Sequence, residues 1–341
     1  MASSPFAFRL YQTLHKQRKS SQRGFTLTEL LVSIVMAGII FTGLLFLVVE
    51  MLRADQSEAV LNQTQQDVNN AMEYITRDLQ EAVFVYPNQT ALDAIMGQLS
   101  DEPAGTPILA FWRVDPVNPT ALASLLTSSS NCTSGSEAFK ENCSVVALRQ
   151  STYTLVVYIQ QNNTGNDIWQ GGSRIIRYAL PQYSNLATLT ERAGYSDPAP
   201  NRFEAPTAAN GPNEWRASGA VTAGTAAVLV DSIDTPTATV NGLTNCANLG
   251  TGYSRVPAAD TSNTSFFTCI RDTTLTAAEQ GALTVELNDD EVARNNQDLV
   301  VYLRGDATGN RAGLFTVYNT RSSLPTLESR ILVRGILDKR P

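Results

Sequence analysis

The chain has 341 residues, with 25 basic and 32 acidic side chains, a net charge of −7 and one histidine, His15. Residues 25–341 hold no histidine, which excludes Ser-His-Asp and Cys-His catalysis and every histidine-based metal site from that part of the chain. The same residues keep all 32 acids but only 20 of the basic residues, because Arg9, Lys16, Arg18, Lys19 and Arg23 precede them; their net charge of −12 disfavours non-specific binding to nucleic acid or anionic headgroups.

The first 24 residues form a basic, polar leader with no acid between Met1 and Gly24. An apolar run follows, with one carboxylate, Glu29, near its start and no charge from Leu30 to Val49, twenty positions. At about 1.5 Å per residue that run makes a helix of about 30 Å, the thickness of a bilayer's hydrocarbon core. The basic leader predicts a cytoplasmic N-terminus and export of everything after about residue 51. An ordinary secretory signal has a shorter apolar core and a small-residue cleavage site, whereas this run ends in Val48-Val49-Glu50-Met51-Leu52. A plain signal anchor suits the hydropathy but gives no reason for Gly24-Phe25 or for Glu29. An isolated acid beside such a segment is costly unless it is paired or lies at the interface.

The stretch Gly24-Phe25-Thr26-Leu27-Thr28-Glu29-Leu30-Leu31-Val32 resembles the processing motif of type IV prepilins and of the pseudopilins of type II secretion. The resemblance implies cleavage after Gly24 by a prepilin peptidase and N-methylation of the new terminal Phe25. It also implies that Glu29 pairs with the terminal amine of a neighbouring subunit as a filament grows. Physics supports the last point, since opposite charges a few Å apart in a poorly hydrated site attract far more strongly than in water. A hydrated Glu29 at the cytoplasmic interface is the simpler alternative.

Residues 25–50 are expected to form the transmembrane and filament-core helix, and residues 51–86 its amphipathic continuation. No proline occurs between Phe25 and Tyr86, and Pro87 is the expected stop. Apolar residues recur at Val60/Leu61, Val68, Met72, Ile75, Leu79 and Ala82/Val83, a one-faced helical spacing. Asp67, Asn70, Glu73, Arg77 and Asp78 are assigned to the other faces. Within the membrane half, Gly38 and Gly43 are either weak points or sites of close helix packing.

After Pro87 the pattern turns β-like. Residues 108–114, 153–160, 174–180, 227–233, 283–287, 299–304, 314–319 and 331–337 read as strands, rich in β-branched and aromatic side chains and bounded by Gly, Pro and Asn. Leu155-Val156-Val157-Tyr158 leads to Thr164-Gly165-Asn166, and Leu299-Val300-Val301-Tyr302 leads to Thr308-Gly309-Asn310. Two hairpins central to two antiparallel sheets are expected. Residues 87–341 thus form a β-rich head, with long loops at 115–143 and 181–226. The four cysteines, Cys132, Cys143, Cys246 and Cys269, all lie in this exported part, where disulfides are favoured. Of the three connectivities, two local pairs, Cys132 with Cys143 and Cys246 with Cys269, are the simplest.

Signals for an enzyme are weak. No phosphate-binding glycine loop occurs. A glycosidase needs only two acids, but Asp289-Asp290-Glu291 reads as a solvated turn before the strand at 299, and the chain is expected not to be an enzyme. No cofactor is expected; Asn288-Asp289-Asp290-Glu291 and Asp306-Ala307-Thr308-Gly309-Asn310 cluster oxygen ligands for calcium without matching the EF-hand pattern.

Together these features resemble a minor pilin or pseudopilin of the PilW/PulJ-like group, with the pseudopilins of cyanobacterial hormogonium polysaccharide secretion as one home. The resemblance implies an α+β, pilin-like fold: a long N-terminal transmembrane and stalk helix packed on a mainly antiparallel β-sheet head. It implies as partners a prepilin peptidase, other pilins, and an inner-membrane assembly platform with a separate ATPase. It places the head in the periplasm and then in an extracellular filament, serving motility, adhesion or secretion. A membrane-anchored adhesin or glycan-binding protein that never enters a filament is the alternative.

Overall fold

The computed structural model describes residues 24–163, 168–169, 171–198, 215–222, 224–235, 246–258, 265–271, 297–307 and 324–333. The chain divides into two compact units, Met1–Asp55 and Gln56–Pro341.

Helix α1 runs from Leu27 to Gln80. Its part in the first unit has no protein cover: the large apolar side chains stand exposed, Leu27 at 83% and Phe41 at 67%. In the second unit α1 buries Thr64, Val68, Ala71, Met72, Ile75, Asp78 and Leu79. These recur every three or four residues, so one stripe faces the core and the rest faces water. Fully burying a side chain such as Ile75 or Leu79 stabilises the fold by about 1.5–3 kcal/mol.

Two expectations for this helix are corrected. It ends at Gln80, before Pro87, and Ala82–Val85 forms strand β1. Ala-Val-Phe-Val suits a half-buried strand as well as a helix face, and β1 gains an antiparallel partner, Phe84 against Trp112 and Val85 against Phe111. Asp78 does not sit on a solvated face; it is buried.

The head is built on two antiparallel sheets. The first contains β1, β2 (Thr106–Pro116), β3 (Ser151–Asn162), β4 (Ser173–Pro181) and β7 (Thr225–Ile233), in the order β1-β2-β3-β4-β7. The second contains β8 (Tyr253–Val256), β9 (Phe266–Arg271), β10 (Gln297–Leu303) and β11 (Leu327–Val333), in the order β11-β10-β9-β8. A small pair, β5 (Tyr183–Asn185) and β6 (Thr190–Glu191), stands apart. Strands β2 and β3 read as nearly unbroken apolar runs because Ile108–Trp112 and Leu155–Ile159 are buried on both faces.

The first expected hairpin is β3–β4, in register from Thr154↔Pro181 to Asn162↔Ser173. The second does not form as expected. Strand β10 pairs on one side with β9 and on the other with β11, so residues 299–303 lie in a central strand with two distant partners. Residues 283–287, 314–319 and 334–337, read above as strand, lie outside the described residues.

The loop expected at 115–143 is also corrected. Strand β2 extends to Pro116, α3 spans Pro119–Ser128 and α4 spans Glu137–Arg149. Both helices have side-chain N-caps: Asn118 accepts from Thr120 and Ala121, with Pro119 in the first turn, and Ser136 accepts from Phe139. Leu125, Cys143 and Val146 form a satellite core there. A shorter helix, α2 (Gln89–Met96), follows β1 and is capped by Asn88. The excursion expected at 181–226 carries β5, β6 and the first two residues of β7, and residues 199–214 and 223 lie outside the described residues.

The two sheets join at buried polar seams. Gln297 of β10 bonds both backbone groups of Val85 at 2.8 Å, standing in for a neighbour on the open edge of β1. The Gln160 amide donates to Ser173, Ser265 and the Asp234 carbonyl. Beyond β10, a Cβ on Gly305 would come within 2.7 Å of Val68 and of Leu324, so only glycine lets this segment pass so close to α1.

Candidate functional site

The motif at the head of α1 is built by ordinary helix-start chemistry. Gly24 and Phe25 precede the helix, and Thr26 caps it. The Glu29 amide donates to the Thr26 carbonyl at 3.0 Å and lies 3.4 Å from its hydroxyl, and the Leu30 amide donates to the same carbonyl at 3.1 Å. Thr26 and Glu29 have the spacing of a capping box, and a carboxylate in the first turn complements the positive end of the helix. The Glu29 carboxylate nevertheless makes no hydrogen bond or ion pair among the described residues, and it is exposed.

Among the described residues Gly24 has no structural reason. It is exposed, and a Cβ there would meet nothing within 4 Å. Gly38 and Gly43 are alike in this respect, although each costs about 1 kcal/mol against alanine in a helix interior. Packing among the described residues uses none of these three glycines. The two hydroxyls of the apolar segment are turned inward: Ser33 donates to the Glu29 carbonyl and Thr42 to the Gly38 carbonyl, each at 2.7 Å. No hydroxyl proton is then left unpaired in a hydrocarbon setting. None of the most apolar eighteen-residue stretch of α1 is buried, and by length and composition the helix is able to cross a membrane.

In the head, the densest charged cluster surrounds Asp78, whose side chain is 2% exposed. Arg177 spans both carboxylate oxygens, donating from Nε to Oδ2 at 2.8 Å and from Nη2 to Oδ1 at 3.2 Å; Tyr158 donates its hydroxyl to Oδ2 at 2.8 Å, and Arg113 donates to Oδ1. Arg113 also pairs with Asp115 and, at 3.3 Å, with Glu81. Burial by itself would raise the Asp78 pKa. The hydrogen bonds and charges of Arg177, with Tyr158 and Arg113, more than offset it and hold the carboxyl below its ordinary range. Burial and the Asp78 charge push the Tyr158 hydroxyl far upward, so it stays a donor. Every polar group of Asp78 is engaged within the protein, and the cluster ties α1 to β2, β3 and β4.

Both local disulfides are formed, Cys132–Cys143 with Cα atoms 5.5 Å apart and Cys246–Cys269 with 5.4 Å. The first closes the satellite core, and the second anchors the turn at Cys246–Leu249 to β9. Closing such loops stabilises the fold by about 3 kcal/mol each in the chain-entropy model. The acidic triplet Asp289-Asp290-Glu291, its neighbour Asn288, residues 308–310 and His15 lie outside the described residues. Among the described residues no group of three or more His, Cys, Asp or Glu side chains is placed to hold a metal ion.

Residues 19–45 match the family model of the prokaryotic N-terminal methylation motif. No curated protein and no solved structure matches the chain. Such a motif implies processing by a prepilin peptidase and assembly with other pilins. The match covers the capped start of α1, with Gly24, Phe25 and Glu29, and most of the uncovered apolar segment. The chain thus carries the N-terminal methylation motif of type IV pilin-like proteins at the head of a membrane-length helix, followed by an antiparallel β-sheet head.

Proposed function

We propose that this protein is a structural subunit, a minor pilin or pseudopilin, of a type IV pilus or a type II secretion-like filament. In this reading the basic leader stays cytoplasmic and the acidic head is exported. A prepilin peptidase cuts after Gly24, and Phe25 becomes an N-methylated terminus. The apolar part of α1 anchors the protein in the inner membrane and then leaves the bilayer to pack among the helices of other subunits. The Glu29 carboxylate takes the terminal ammonium of a neighbour and sets axial register. An assembly platform and a separate ATPase supply the work, and the head does no chemistry. The large head favours a minor over a major subunit.

One observation carries this reading: the motif opens a helix whose membrane-length apolar stretch is left uncovered by the described residues, with Glu29 unengaged among them at its start. The Gly24 geometry supports it, since a glycine unused by the described residues is explained by recognition from outside. The test is the intact mass of the mature protein from its native membrane. A terminus at Phe25 with one added methyl is expected, and a chain still beginning at Met1 overturns the proposal.

A further inference from the structure

Left-handed backbone is concentrated in one part of the head. Among the described residues, Ser130, Asn131 and Cys132 are consecutive non-glycine residues at φ 49°, 57° and 64°, and Gln150, at 52°, closes α4 nearby. Such residues crowd their own Cβ against the backbone, so they ordinarily occur singly. Strained backbone of this kind persists only where its surroundings over-determine it. Two devices do so here. Ser129 is buried; its hydroxyl donates to the Leu125 carbonyl at 2.6 Å and accepts from the Cys132 amide at 3.1 Å, and its carbonyl accepts from the Thr133 and Ser134 amides at 3.1 Å each. The second device is the Cys132–Cys143 disulfide, which ties the turn to α4. The module it closes, made of α3, the turn and α4, has its own small core of Leu125, Cys143 and Val146, separate from the main core that holds β2 and β3. The two disulfides also differ in access: Cys246, Cys269 and Cys143 are buried, whereas Cys132 is only partly buried.

We propose that Cys132–Cys143 is a redox latch. Oxidised, it holds the left-handed turn and keeps the α3–α4 module closed; reduced, it lets the turn relax and the module open while the two-sheet core stays folded. The reductant is a dithiol. One of its thiolates attacks the Cys132 sulfur, the more accessible of the pair, the S–S bond breaks, and the Cys143 sulfur leaves as a thiolate and takes a proton. The second thiol of the reductant then attacks the mixed disulfide and releases Cys132 as a thiol. Two electrons and two protons pass to the protein, and the dithiol ends as a disulfide. The shape of one surface module thereby depends on the redox state of its surroundings, closed where disulfides persist. The latch does not depend on assembly into a filament.

Hydrogen exchange of the full chain in detergent, at graded dithiothreitol and with mass mapping of alkylated cysteines, tests it. Cys132 and Cys143 should become alkylated at a reductant concentration about tenfold below that needed for Cys246 and Cys269. At that point amide exchange across residues 119–149 should rise by about tenfold or more, while β2 and β3 keep their protection. Cys132→Ser combined with Cys143→Ser should exchange like the reduced wild type over the same segment. Ser130→Gly removes the cost of one left-handed residue and should slow exchange in the reduced module by about threefold, a response that a disulfide closing an unstrained loop would not show. The latch is overturned by simultaneous reduction of both disulfides, by unchanged exchange at 119–149 after selective reduction, or by loss of β2 and β3 protection together with the module. A doubly substituted chain whose head does not fold, or a reduced module indifferent to Ser130→Gly, overturns it equally.

Discussion

Two stretches of α1 obey opposite rules. From Leu30 to Val48 the helix is apolar on all sides and uncovered among the described residues; from Thr64 to Leu79 only one stripe is apolar, and that stripe is buried. The first has composition without a face, the second a face with modest composition. A helix that is apolar all round needs an apolar solvent or many partners, while an amphipathic one needs a single neighbour. The same secondary structure therefore serves assembly at one end and folding at the other.

Truncation should separate the two most sharply. Ile75→Ala removes buried side-chain volume from the core and should destabilise the head by about 3–4 kcal/mol, while Leu45→Ala should change it by less than about 0.5 kcal/mol. Denaturant unfolding of the full chain in detergent reads both, through the fluorescence of buried Trp112 and Trp215. Equal effects at the two positions would erase the distinction.

Asp78→Ala comes next. It leaves Arg177 without its carboxylate and Arg113 with only Asp115 and Glu81, for a loss of about 3 kcal/mol in the same assay. The pH dependence has a definite sign. The folded pKa of Asp78 is depressed, so its stabilisation is fully present above the ordinary carboxyl value of 3.8 and is lost as the pH falls through the folded pKa. Acid titration of wild type against Asp78→Asn should show a steeper loss in the wild type in that low-pH window; parallel curves would remove Asp78 from the account.

The smallest effect on stability belongs to Glu29. Glu29→Ala should leave membrane insertion and the head's unfolding midpoint unchanged and still reduce co-assembly into filaments, read by co-purification with other pilins. Normal incorporation would count against a register role for this carboxylate.

Much of the architecture is legible from residues alone. The leader, the charge-free run and Glu29 are linear features, and β2, β3, β4, β7 and β10 stand out as β-branched, aromatic runs. The helices α3 and α4 had readable signals, Asn118-Pro119 and Ser136 as caps, which their Ser- and Thr-rich surroundings masked. The end of α1 is harder. Ala82-Val83-Phe84-Val85 satisfies both periods, and what selects the strand is β2 on one side and the Gln297 amide, 212 positions away, on the other. Asp78 likewise reads as a surface acid until Arg113, Arg177 and Tyr158 converge on it from three strands.

Sequence by itself determined the membrane-length helix, the methylation motif and the two-part plan of anchor and β-rich head, because composition and short-range spacing express them without reference to distant residues. Tertiary structure alone decided where α1 stops, which strands flank β10, and that an aspartate belongs in the core. Each of those outcomes depends on pairing a backbone edge or a charge with groups far along the chain, and no local pattern records where such partners will be.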